Sequence, residues 1–75
     1  MNCGDIVIHI DENLDDSSIH DLERRLSEST GIFSACVHEH RRHLMLVDFD
    51  PADIKPSEIV SRVRNTGLHA EMIGL

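Results

Sequence analysis

The sequence has no CxxC pair, no Gly-rich phosphate loop, no long apolar run and only modest positive charge. Each absence removes a class of function. Cys3 and Cys36 are the only cysteines and stand far apart. They make no disulfide framework of the kind that small secreted domains rely on, and both are read as reduced thiols. Seven Lys and Arg stand against fourteen Asp and Glu, and the formal charge of −7 repels the phosphates through which nucleic acid and anionic lipid bind. No nucleic-acid partner is expected. Apolar runs are a few residues long, and Met1 leads into Asn2-Cys3-Gly4-Asp5 rather than a charged and then apolar leader. The expectation is a cytoplasmic protein without membrane insertion. No nucleophile stands beside a base and no carboxylate pair marks a cleft, so an enzyme is not expected.

What remains is enough for a small folded domain. Of the 75 residues, 40% are hydrophobic and 28% charged, an ordinary balance for a globular chain. Residues 1–75 are read as a single domain. A chain of this length buries only about 60% of the surface it exposes when unfolded, which leaves little room for a deep pocket.

Periodicity supplies the elements. Asp5 to Asp11 alternates polar and apolar letters, with Ile6, Ile8 and Ile10 on one face of a strand. The polar stretch DENLDDSS leads into Ile19, Leu22 and Leu26 at helical spacing, Ser18 and Asp21 matching a capping box, and this helix ends near Gly31. Phe33, Ala35 and Val37 alternate along a second strand, and Met45, Val47 and Phe49 along a third, with the polar HEHRRH between them. Pro56 suits a first helical position, Ile54 and Ile59 are spaced as a hydrophobic staple, and Gly67 suits a left-handed cap after a helix running to about Thr66. Ala70 to Leu75 makes a short fourth strand. The order strand, helix, strand occurs twice, and two interleaved right-handed crossovers give the α+β ferredoxin-like βαββαβ sandwich, with antiparallel sheet order 4-1-3-2 and both helices on one face. The alternating apolar residues of the first three strands, Phe33 and Val37 among them, are expected to face the helices as the core.

Several short signals share their spacing with a known family. These are Gly31-Ile32 after the first helix, S-A-C-V at Ser34 to Val37, V-D-F-D-P at Val47 to Pro51, and N-T-G-L-H-A ahead of M-I-G-L. In them the chain resembles the heavy-metal-associated domain family of metallochaperones and metal-ATPase amino-terminal domains. The resemblance implies the same fold and a tie to metal traffic, with a metal transporter or another protein as partner. It also implies two thiolates at the start of the first helix, holding Cu(I), Zn(II) or another soft metal. The positions matching them are Asp15 and Ser18. No family ligand carries over.

Two places on this fold are candidates for function. Three connections gather at one end and bring Asp11, Glu12, Asp15, Asp16, His38, His40, His43 and His69 together. His38, His40, His43 and His69 with Asp15 and Asp16 are the candidate metal ligands, His38 and His40 sharing a strand face. Such donors suit Zn(II), Ni(II) or Cu(II). The competing reading makes the histidines solvated turn residues, beside Arg41 and Arg42 that repel a cation, and the carboxylates stabilisers of a helix amino terminus. No calcium loop is present, because donors, glycine and terminal glutamate lack the required order. The second place is the open sheet face, where Val7, Cys36, Leu44 and Leu46 form an apolar stripe with His9 and Asp48 at its edge. That face suits a protein partner or a second copy, a homodimer, against the alternative of scattered surface apolars. Cys3 is read as an exposed tail residue, and His20 as lying on the outer side of its helix with no role.

Overall fold

The computed structural model describes residues 4–74. The expectations for Cys3 and Leu75 lie outside them. The elements are β1 (Gly4–Ile10), α1 (Asp16–Ser27), β2 (Ile32–Val37), β3 (Leu44–Phe49), α2 (Pro56–Arg64) and β4 (Ala70–Gly74). All strand pairings are antiparallel, in the order β2-β3-β1-β4, so the βαββαβ ferredoxin-like architecture is as expected.

Alternation along β1 sends Ile6, Ile8 and Ile10 to the helix side, where each is fully buried, and leaves Asp5, Val7 and His9 on the other face. Met45, Val47 and Phe49 of β3 lie beside them. The helices close this side with Ile19, Leu22 and Leu26 of α1 and with Ile59, Val60 and Val63 of α2. Burying a side chain of this size contributes about 1.5–3 kcal/mol, so the layer between sheet and helices is the main source of stability.

Phe33 departs from the expectation. Alternation assigns it to the core, yet it is 54% exposed, while its neighbour Ile32 is buried. The register of β2 against β3 shifts between Ile32 and Ser34. The extra residue at this bulge moves the alternation by one place, so Ile32 takes the inward position opposite Phe49. Val37, also expected in the core, is only partly buried.

Helix ends follow local chemistry. Helix α1 begins two residues before Ser18, because Asp15 is its cap: the Ser18 amide donates to Asp15 Oδ1 at 2.8 Å. The expected capping box at Ser18 and Asp21 is corrected accordingly, and Asp21 accepts instead from Arg24. In α2, Lys55 stands at the cap and Glu58 accepts its amide at 3.3 Å, with Ile54 and Ile59 both buried as a staple. Gly31 has φ +88°, and an added Cβ would stand 2.9 Å from the Asp53 Cβ, so the turn into β2 requires glycine. The Gly31 carbonyl accepts from the Asp50 amide at 2.7 Å, which joins the start of β2 to the end of β3. Glu23 of α1 accepts the Val37 amide at 2.8 Å and so ties the helix to the last residue of β2. No helix among the described residues is long and apolar enough to cross a membrane.

Candidate functional site

The three connections meet at one end of the sheet, as the topology requires. The Ile10 amide donates to the His43 carbonyl at 2.8 Å, and the Asp11 amide to the His69 carbonyl at 2.9 Å. The β1–α1 loop is thereby fixed to both neighbouring loops. Glu12 adds a two-point clasp: one carboxylate oxygen accepts the His69 amide at 2.8 Å, and the other lies 2.6 Å from His69 Nδ1. That contact lowers the Glu12 pKa and raises that of His69, in each case first through the side-chain hydrogen bond between them.

Asp15, Asp16 and His38 are also engaged, whereas the His40 side chain has no hydrogen-bond partner among the described residues. Asp15 caps α1, and the backbone hydrogen bond from Ser18 is the main reason its carboxyl titrates below the usual value. Asp16 pairs with Arg42 of the β2–β3 turn. His38 and His40 do not share a strand face, because β2 ends at Val37 and both residues lie in the turn. The reason is local: His38 Nδ1 accepts the amides of His40 and Arg41, each at 3.1 Å, and folds the chain back before it can extend. A neutral His38 therefore carries its proton on Nε2, which removes the lone pair a metal would need there.

His43 and His69 are set differently. His43 Nδ1 lies 2.7 Å from the Ile10 carbonyl oxygen, which can only accept, so Nδ1 carries the proton and the Nε2 lone pair is left over. His69 is oriented the same way by Glu12. The six candidate ligands share an end of the molecule without converging: among the described residues no three His, Cys, Asp or Glu side chains are grouped as a metal site requires. His9 is not among these ligands, yet its ring stacks on His43 at 5.9 Å and 17°. Its Nδ1 is buried 3.2 Å from Asp11 Oδ1, off line for a hydrogen bond. Alternation along β1 puts His9 on the open face; the stack depends on the turn and leaves no trace in the spacing. His20 lies on the exposed side of α1, 3.6 Å from Glu23.

On the open face the stripe is assembled as alternation implies. Val7 pairs with Leu46 across β1 and β3, and Leu46 with Cys36 across β3 and β2, which makes one continuous row over three strands. Leu44 lies in the next row, opposite His9. Cys36 and Leu46 are exposed, Val7 and Leu44 partly so.

No protein-family model and no curated protein sequence matches the chain. Solved structures do. A copper-binding domain from HMA7, a P-type ATPase, superposes with a TM-score of 0.84 at 23% identity, over 93% of each chain. The chain shares the fold of that domain. Others with that fold include the apo copper chaperone of Enterococcus hirae, with a TM-score of 0.80 at 19% identity over 91% of this chain and 98% of that one. Oxidized MerP from Ralstonia metallidurans CH34 gives 0.81 at 11% identity over 95% and 97%. Within this shared fold, Asp15 and Ser18 of the chain serve as helix cap and capped amide.

Proposed function

We propose that this chain is a non-enzymatic protein-interaction module on the heavy-metal-associated fold, docking through the open face of its sheet. The observation that carries the reading is the row Val7, Leu46 and Cys36, which lays apolar surface across three strands where a solvent-facing sheet is ordinarily polar. The loop end supports it from the other side, since Asp15, Asp16 and His38 are occupied within the fold. A metal-transporting ATPase or a metallochaperone is the partner class suggested by the similar structures. Pull-down and sedimentation of wild type against Leu46→Asp test the reading. Loss of association in the variant supports it, and unchanged association counts against this face.

A second reading, metal binding or trafficking through histidine and carboxylate, is favoured by one observation: His43 and His69 each present Nε2, held by an oxygen acceptor on Nδ1. Zn(II), Ni(II) and Cu(II) suit such nitrogens better than Cu(I) does. A heteronuclear NMR titration with each ion decides it. Shifts at His38, His40, His43, His69 and the acidic loop at equimolar metal support the reading; their absence rejects it.

A further inference from the structure

A groove between α1 and α2 opens on the side of the molecule opposite the open sheet face. It measures about 250 Å³, with the buried Leu22 and Leu26 among its walls. Arg25 of α1 and Arg62 of α2 line it together with Ser29, Asn65 and Thr66, and no carboxylate does. In a chain with fourteen acidic side chains against seven basic ones, a groove lined by two guanidiniums and no acid reverses the overall balance.

Three of the other arginines have partners within the fold. Arg24 donates to Asp21, Arg42 pairs with Asp16, and Arg64 Nε donates to the Ala70 carbonyl at 2.8 Å. Among the described residues, neither the Arg25 nor the Arg62 guanidinium has a hydrogen-bond or ion-pair partner. Asp21, Glu28 and Glu58, the acids one turn away along the two helices, make no ion pair with them; Asp21 accepts from Arg24, and Glu58 accepts the Lys55 amide at 3.3 Å. Arg41 lacks a partner as well, but it stands in the β2–β3 turn and lines no part of this groove. Ser29 Oγ donates to the Arg25 carbonyl at 3.2 Å and Thr66 Oγ1 to the Val63 carbonyl at 2.7 Å, so both hydroxyl protons are committed. The donors left for a ligand are the two guanidiniums and the Asn65 amide. Arginine in a last turn offsets the helix macrodipole, which accounts for the position of each along its helix. It does not account for two of them lining one acid-free groove from different helices.

We propose that this groove binds a small oxyanion, a phosphate or a carboxylate group, held between Arg25 and Arg62 with Asn65 as a third donor. Guanidinium suits the task because its planar fork of N–H groups matches paired oxygens. At about 30 Å³ per water, the groove has the volume of about eight waters, which takes a phosphate group or a short dicarboxylate. The net charge of −7 does not forbid this, because charges farther than about 8 Å are largely screened at physiological salt while the two arginines act at contact distance. Asn65 caps the carboxyl end of α2, whose partial negative charge opposes an anion, so the affinity is modest, with a dissociation constant of about 1 mM.

NMR titration of the full chain tests the site at about pH 7, where both probes are anionic. Sodium phosphate is added in one series and sodium succinate in another, each against sodium chloride at matched ionic strength. Saturable shifts are expected at the Nε–Hε signals of Arg25 and Arg62 and at the backbone amides lining the groove, while the Arg41 signal stays in place. Arg25→Gln and Arg62→Gln alter exposed positions, so each should keep the spectrum of the folded protein and weaken binding by about tenfold. Arg41→Gln should leave binding unchanged. Saturation by phosphate alone assigns the site to phosphate groups, and saturation by succinate alone assigns it to carboxylates; either result supports an oxyanion site. Shifts no larger than those in chloride overturn it, and so does a loss of binding in Arg41→Gln as great as that in Arg25→Gln.

Discussion

The loop end and the open sheet face are the two polar-rimmed surfaces of this small fold, and they differ in what their side chains are doing. At the loop end Glu12, Asp15, Asp16 and His38 hold the backbone or a neighbour, so the chemistry is spent on structure. On the face, Val7, Leu46 and Cys36 contribute to no core and remain available. A dense cluster of ligand-type residues is thus weaker evidence of a ligand than a row of residues with no structural task.

The largest change to that comparison would come from giving the loop end back its thiols. Asp15→Cys with Ser18→Cys places two sulfurs three residues apart at the start of α1. Competition against a Cu(I) chelator should show affinity rising by several orders of magnitude over wild type. The double variant should also melt several degrees lower, because it deletes the cap of α1. As a measure of what core side chains are worth, Ile8→Ala should cost about 2–5 kcal/mol in chemical denaturation. Leu46→Asp, at an exposed position, should fall within about 0.5 kcal/mol of wild type while abolishing association. A Leu46→Asp protein as unstable as Ile8→Ala would mean that the face is structural after all.

A smaller effect, confined to the loop end, is its pH dependence. The Glu12 contact raises the His69 pKa, so its contribution is fully present below the ordinary value of 6.5 and is lost as pH rises through the elevated one. Glu12 is depressed, so its share is present above the ordinary 4.5 and is lost as pH falls through the lowered value. The clasp is therefore strongest between about pH 4.5 and 6.5. NMR titration of the His69 ring should show the elevated midpoint, and Glu12→Gln should return it toward 6.5. Smallest of all is Arg42→Ala, which removes an exposed ion pair with Asp16 and should leave the thermal midpoint unchanged within error.

The two regions also differ in how legible they are in the sequence, for physical reasons. The strands, helices and sheet order are readable because isoleucine alternation in β1 and the helical spacing of Ile19, Leu22 and Leu26 are repeating signals. Phe33 escapes such a reading because a bulge inserts one residue without any mark in the alternation that follows it. The apolar row on the open face is readable, since alternation fixes both faces of a strand at once. The loop end is readable only as a gathering of residue types. Which nitrogen of His38 or His43 carries the proton depends on backbone groups that a turn brings within reach, and no spacing rule encodes them.

The tie between Glu23 and the Val37 amide bears on assembly as well as on packing. Strand β2 is an outer strand of the sheet, and its unpaired backbone could template an added strand from another chain. The carboxylate takes up one of its donors, and the bulge at Phe33 interrupts the regular backbone row near the other end. Lateral growth into a filament is thereby discouraged along this border of the sheet.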